Sequence, residues 1–253
     1  MTMRMPVVLD ASPIFPPAER ALDEPNGLLA VGGDLSVPRL LAAYRAGVFP
    51  WYSNGQPILW WTPDPRMVFV LDEGGTDHGG TYGVRLSSRF RRGLRHLPWI
   101  VRADTAFEAV IDACAHIPRD GQRGTWITPA MRRAYVGMHT LGHAHSIEVF
   151  DGERLVGGLY GVAVGAMFFA ESMFSGASGG SKVALAALAH RLHAWGWPLI
   201  DAQVENDHLV SLGAVALPRA EFLARVARQV DAPEPAGGWT ARFGDLPASD
   251  LAR

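Results

Sequence analysis

A chain of 253 residues that is 48% hydrophobic can bury the core of one large domain or two modest ones. Its formal net charge of −2 sets up no global field to recruit a polyanion, so any contact with nucleic acid has to be local. The single cysteine, Cys114, excludes an intramolecular disulfide, and neither a run of about 18 apolar residues nor an apolar core behind Met1 is present, so a cytoplasmic protein without a membrane span is expected.

Residues 1–65 are rich in Pro, Gly and Trp and are expected to form a small, irregular N-terminal domain. One helix stands out there, with Ser36 as its N-cap, Leu40, Leu41 and Tyr44 inside it, and Gly47 just past its end. Trp51, Tyr52, Trp60 and Trp61 follow closely. They either form a mini-core holding loops together, or supply a wall for a base or an apolar side chain. Residues 67–71 read as a strand and 74–83 as a Gly-rich loop. The spacing then predicts a helix over 84–97, with Leu86, Phe90 and Leu94 on one side and Arg85, Arg89, Arg92 and His96 on another. No acidic residue occurs between Asp77 and Asp104, whereas an ordinary solvated face interleaves acids to gain i,i+4 pairs. An unrelieved basic face is predicted to meet an anion such as nucleic-acid backbone.

Helices are expected over 105–116 and 129–141, the second preceded by Thr125-Trp-Ile-Thr128. Strands are expected over 145–150, 155–164 and 166–174, with Asp151-Gly152 as a hairpin turn. Gly157, Gly158, Gly161 and Gly165 suggest a bulge or a close approach by another backbone or a ligand. Glu171 lies in the apolar run 167–174, and a buried carboxylate needs a cation or donors. The Gly-rich segment 176–181 opens a helix over 182–195, whose Leu185, Leu188, Leu192 and Trp195 read as core. Free N–H groups and Lys182 at its first turn suggest an anion site that is not a P-loop. His139, His143 and His145 straddle a helix end and a strand, and no metal site is expected from them.

The stretch 198–204 is the centre of the chain. It reads as a strand in which Leu199, Asp201 and Gln203 share one face and Ile200, Ala202 and Val204 the other. A buried polar group left unpaired costs roughly 1–3 kcal/mol, so Asp201 and Gln203 either join a network or face a pocket; a pocket is expected. A short helix over 206–212, a strand over 214–217, a helix over 219–230 and a linker with a loosely held tail over 232–253 complete the chain. This order predicts an α/β (α+β) protein: a small N-terminal domain over 1–65, then an acyltransferase-like domain over 66–231 whose helices pack on a mostly antiparallel sheet.

Gly27-Leu-Leu-Ala-Val-Gly-Gly-Asp-Leu35, Gly47-Val-Phe-Pro-Trp51, Trp60-Trp-Thr-Pro-Asp-Pro-Arg66, Gly124-Thr-Trp-Ile127, Glu171-Ser-Met-Phe-Ser175, Ser181-Lys182 and Leu199-Ile-Asp-Ala-Gln203 occur in that order. Together they resemble the motifs of the bacterial leucyl/phenylalanyl-tRNA–protein transferases, over about residues 12 to 228. The resemblance implies a GNAT-like C-terminal domain. It also implies an enzyme that moves Leu or Phe, and sometimes Met, from aminoacyl-tRNA onto proteins beginning with Arg or Lys, creating an N-end rule degradation signal. It needs no cofactor, and a monomer is expected.

By the same resemblance, Asp201 and Gln203 match the catalytic pair, Glu171 an acidic active-site residue, and Trp51 and Trp126 residues that hold the aminoacyl-adenosine end. Ser181 falls on the substrate side; Arg85, Arg89, Arg92 and Lys182 fall on the tRNA side. Leu188 and Leu192 stand where some members have aromatics lining the amino-acid pocket. The chain departs from the family at Gly176, where an Arg is common, at Gly179-Gly180, where Asn-Ala is common, and at Ala202, often Cys. Two other readings keep the same fold features. A CoA-dependent N-acetyltransferase would use the same sheet and anion loop, and a non-catalytic RNA-binding module would need only the basic helix and the aromatics.

Overall fold

The computed structural model describes residues 5–72, 82–117, 125–233 and 238–252, so most of the expected linker over 232–238 and of the expected Gly-rich loop over 74–83 lies outside the described residues. The chain opens with β1 (Val7–Leu9), β2 (Leu28–Gly32), α1 (Val37–Arg45), β3 (Phe49–Pro50) and β4 (Leu59–Trp61). The four strands form a small sheet in the order β1-β2-β4-β3, so this region carries more regular pairing than its Pro and Gly content suggests. Strands of two to five residues leave too little alternation to be recognised as β structure.

Next come β5 (Arg66–Val70), α2 (Ser88–Leu94), β6 (Trp99–Ala103), α3 (Phe107–His116), α4 (Pro129–Thr140), β7 (Ala144–Asp151), β8 (Arg154–Val164) and β9 (Met167–Ser175). They are followed by α5 (Gly180–Ala194), β10 (Leu199–Gln203), α6 (Asp207–Ser211), β11 (Val215–Leu217), α7 (Arg219–Gln229), α8 (Trp239–Phe243) and β12 (Leu246–Pro247). Eight strands form one sheet in the order β11-β5-β10-β9-β8-β7-β6-β12, in which only the β9–β10 pair is parallel. This is the mixed α/β, mostly antiparallel architecture expected from the order of elements. Among the described residues no helix is long and apolar enough to cross a membrane.

One core lies between the sheet and α5, closed by Leu94 of α2 and by Phe243, Leu246 and Leu251. The other lies between the opposite face and α3, α4 and α7, and takes in Leu40, Tyr44, Phe49 and Trp60 from the N-terminal sheet and α1. Ala-rich α5 sits very close to β8: a Cβ on Gly157 would stand 2.4 Å from the Gly180 carbonyl carbon, which is the backbone approach the β8 glycines suggested.

Two expectations are corrected. The helix expected over 84–97 is only α2, because Ser87 caps it by accepting from the Phe90 N–H (3.2 Å) while the Arg85 N–H donates to the Leu212 carbonyl (2.6 Å). Arg85 therefore lies outside the helix, although Arg85, Arg89 and Arg92 are all exposed. The tail is not loose either. β12 pairs with β6, Leu246, Ala248 and Leu251 are buried, and the Trp239 indole stacks on His145 at 4.0 Å. Trp239, Phe243 and Leu246 do recur at helical spacing, but over only two turns and with Leu251 off that face, so the sequence advertises the docking only weakly. Leu251→Ala should lower unfolding free energy by about 2–5 kcal/mol in urea denaturation; a free tail would leave it within about 0.5 kcal/mol of wild type.

Candidate active site

β9 and β10 stay paired only from Met167/Leu199 to Phe169/Asp201, although β9 runs on to Ser175. Past that point they part, and a cavity of about 280 Å³ opens between them. Glu171 from β9 and Gln203 from β10 line it, with Trp51 and Trp126. Its apolar wall comes from Phe69, Leu159, Met173, Leu185 and Leu209. Trp51 and Trp126 also border a second cavity of about 730 Å³, walled by Tyr52, Trp61, Thr125 and Thr128 and, among the described residues, by no charged side chain.

Asp201 lies behind the cavity. It stands opposite Val68 on β5, and Arg66, two residues away, shares that face, so the carboxylate and the guanidinium meet on the diagonal. The pair is bidentate, Nε to Oδ1 at 2.8 Å and Nη2 to Oδ2 at 2.6 Å, and both side chains are fully buried. Arg66 also donates to the Gly47 carbonyl (3.2 Å) and lies over the Phe49 and Phe222 rings, 4.6 Å from each centre. The β10 ladder shifts register between Asp201 and Gln203, and Gln203 takes φ +63°, a conformation uncommon for a residue with a side chain. Its N–H donates to Asp201 Oδ1 at 2.9 Å, so the ion pair holds the bulge.

Among the described residues Glu171 has donors rather than a cation. The Tyr44 hydroxyl reaches Oε1 and the Tyr135 hydroxyl Oε2, both at 2.8 Å, and the Gln203 amide nitrogen donates to Oε1 at 2.8 Å. The two tyrosine oxygens are 2.5 Å apart. Burial pushes the Glu171 carboxyl up to about 7, against the pull of the Tyr44 and Tyr135 hydrogen bonds, and the Asp201 charge adds to the rise. Burial also raises both phenols well above their ordinary range, reinforced by the Glu171 charge. Away from the cavity Glu148 is likewise pushed up to about 7 by burial, despite hydrogen bonds from Ser146 and Thr105.

The structure thus brings together Glu171, Gln203, Trp51 and Trp126, with Asp201 one layer behind. Arg89 and Lys182 meet elsewhere, in a groove of about 340 Å³ where the Lys182 ammonium lies 5.8 Å from the Phe90 ring centre. Ser181 lies outside both sites: its N–H donates to Ser175 Oγ and its hydroxyl meets the same atom, each at 2.9 Å. The Gly180 N–H is taken by Ala177, so the loop offers an anion fewer free donors than its glycines suggested. Leu188 and Leu192 are sealed in the core and do not line the cavity. At 1.5 Å rise per residue they lie about 4.5 and 10 Å beyond Leu185, the α5 residue that does. Arg66, Tyr44 and Tyr135 join the site although the sequence marked none of them as a site residue. The only signal for Arg66 was the need of a buried Asp201 for a cation. Both tyrosines sit on apolar helical stripes (Leu40, Ala43, Tyr44; Met131, Tyr135, Met138) that read as core.

Two predictions follow from the buried groups. Asp201→Asn leaves Arg66 without its anion and should cost about 3–5 kcal/mol in denaturation, whereas Gln203→Ala, at a partly exposed bulge, should cost less than half as much. Glu148 and Glu171 rise from an ordinary 4.5 to about 7 on folding. Their stabilisation is complete below the unfolded value and is lost as pH rises through the folded one, on the order of 3 kcal/mol each. Glu148→Gln should therefore flatten the fall in unfolding free energy measured between about pH 5 and about pH 8.

Comparison with known proteins points to a single family. A family model described as leucyl/phenylalanyl-tRNA protein transferase matches residues 80–227, and a model for the N-terminal domain of the same proteins matches residues 33–64. The leucyl/phenylalanyl-tRNA–protein transferase of Xanthomonas euvesicatoria pv. vesicatoria (strain 85-10) is 68% identical over 250 residues, 98% of this chain and 96% of its own. That of Xanthomonas campestris pv. campestris (strain B100) is 62% identical over 254 residues, 100% and 98% of the two chains. That of Xylella fastidiosa (strain M23) is 59% identical over 237 residues, 94% and 93%.

Proposed function

The chain belongs to the leucyl/phenylalanyl-tRNA–protein transferase family, a family of aminoacyltransferases, and from that premise we propose how its site works and on what. It transfers Leu or Phe, with Met as a further donor, from aminoacyl-tRNA to the N-terminal Arg or Lys of acceptor proteins in the cytoplasm. The product enters N-end rule degradation. The observation that carries this reading is the Glu171–Gln203 pair, hydrogen-bonded at 2.8 Å on the wall of an apolar cavity flanked by Trp51 and Trp126.

The reaction is aminolysis of an activated ester, with the terminal ribose oxygen of the tRNA as leaving group. An α-amino group has pKa ~7.7–8.0, so roughly a tenth is neutral at about pH 7 and supplying that form costs only about 1–1.4 kcal/mol. Orientation can contribute ~7–11 kcal/mol. When Glu171 is ionised it can only accept, so Gln203 gives it the NH2, which leaves the amide carbonyl oxygen to aim the attacking amine. Asp201 acts through Gln203 by holding the bulge. Glu171 adds negative charge beside the cationic acceptor. The apolar wall takes the donor side chain, Trp51 and Trp126 hold the terminal adenosine towards the larger cavity, and Arg85, Arg89, Arg92 and Lys182 meet the tRNA backbone.

The test is transfer of labelled Leu, Phe and Met from charged tRNA to a peptide beginning with Arg, compared with one beginning with Ala. Transfer to the first and not the second is expected; equal transfer would remove the acceptor assignment. Trp126→Ala should raise the KM for aminoacyl-tRNA about tenfold while leaving the peptide KM within about twofold, consistent with about 1–3 kcal/mol of stacking per base. Gln203→Glu retaining full activity with a displaced pH profile would replace orientation by base catalysis at that residue.

A further inference from the structure

Resting on that reading, the inference here concerns where the ammonium's proton goes. Tyr44, Tyr135 and Glu171 make three oxygen–oxygen contacts of 2.5, 2.8 and 2.8 Å. Each phenol brings one proton, so two hydroxyl protons serve three contacts, and one close contact lacks a hydrogen while Glu171 is ionised. A proton on the carboxyl supplies the missing one: one hydroxyl turns from Glu171 to the other tyrosine, and no heavy atom has to move. Glu171 is also the member of the three that lines the cavity, so a bound amine can reach it.

We propose that Glu171 takes the proton shed by the attacking ammonium, and that Tyr44 and Tyr135 are positioning residues that hold its carboxylate ready for it. The ammonium N–H bond breaks and its proton moves to Glu171, leaving a neutral amine aimed by the Gln203 oxygen. The C–N bond forms at the ester carbon. As the C–O bond to the ribose breaks, the second nitrogen proton leaves on the ribose oxygen. Glu171 releases its proton to solvent when product departs. The ionisable groups facing Glu171 are Tyr44 from α1, Tyr135 from α4 and Asp201 from β10, with Tyr160 of β8 near the phenols and Arg66 of β5 neutralising Asp201. A carboxyl pushed up to about 7 by burial suits an acceptor working near neutral pH.

Phenylalanine at either tyrosine removes the tyrosine–tyrosine contact together with a donor whose hydrogen bond holds the carboxyl down, and loss of that donor should make the carboxyl bind its proton more tightly. The experiment is the pH profile of kcat for transfer of Leu from charged tRNA to a saturating Arg-initiated peptide. Relative to wild type, Tyr44→Phe and Tyr135→Phe should move the acid limb to higher pH, with about a tenfold loss near pH 6.5 shrinking to about twofold near pH 9. Glu171→Gln should lower kcat at every pH and abolish the limb's dependence on either tyrosine in the double variants. Profiles that fall uniformly with an unmoved midpoint would make the tyrosines braces only and overturn the proposal, as would wild-type kcat in Glu171→Gln. Failure of the wild type to transfer at all would instead remove the reading beneath it.

Discussion

The Asp201–Arg66 ion pair is the constraint from which the site is built. Both groups have left water entirely, which is tolerable because each is well partnered: two hydrogen bonds between them, a third to the Gly47 carbonyl, the Gln203 N–H on the carboxylate, and two aromatic faces around the guanidinium. Those satellites are not incidental. Gly47 and Phe49 belong to the N-terminal region, Phe222 to α7 and Gln203 to the cavity wall. One charge pair therefore fixes the N-terminal sheet against the larger one at the spot where β9 and β10 separate. A pair of apolar residues of the same volume could fill this space at no loss of stability, but could not bind the N–H of a residue at φ +63°.

The second polar cluster is held in the same way, across the same boundary. Tyr44 comes from α1, Tyr135 from α4, Glu171 from β9 and Gln203 from β10, so four elements far apart in sequence converge on one carboxyl. The two clusters touch through Gln203, whose backbone answers to Asp201 and whose side chain answers to Glu171. That double attachment is what gives a flexible three-torsion side chain a single orientation. Orientation is also where a reaction with an already reactive ester and a partly neutral amine has most to gain.

Much of this was legible before any coordinates. Two carboxyl-bearing or amide-bearing residues at alternate positions of strand 199–203 demanded partners, and a lone Glu171 in an apolar run demanded donors. Burial chemistry alone supplies those demands. What it does not supply is the identity of the partner when that partner is remote and disguised. Arg66 opens a strand 135 residues before Asp201, and the two tyrosines lie on stripes whose period says only that they face inward. The β10 bulge was hidden for a different reason: alternation assumes one residue per step, and the inserted Ala202 carries no mark of its place. The α5 stripe was read correctly as buried at Leu185, Leu188 and Leu192, with Trp195 only partly so, but periodicity fixes the angle around a helix and not the position along it. Leu185 reaches the cavity while Leu188 and Leu192 share its face and miss.

The cavity wall bears on donor choice under the proposed reaction. Phe69, Leu159, Met173, Leu185 and Leu209 offer dispersion and exclusion of water, with no donor or acceptor aimed among them. A wall of that kind separates side chains differing by one methylene by only about 1–3 kcal/mol. It rejects a charged or amide side chain far more strongly, since that group would lose water and gain no partner. Leu, Phe and Met are alike on this scale, so a family that accepts several apolar residues follows from the composition of the wall. Met173, unbranched and adaptable, is the residue best able to give way to a ring in one donor and a branched chain in another. The proposed selectivity for a cationic acceptor would rest on different physics, because charge next to a buried Glu171 is felt far more sharply than a methylene against leucine. Under the proposed reaction, such a site is permissive about what it transfers and strict about where it places it.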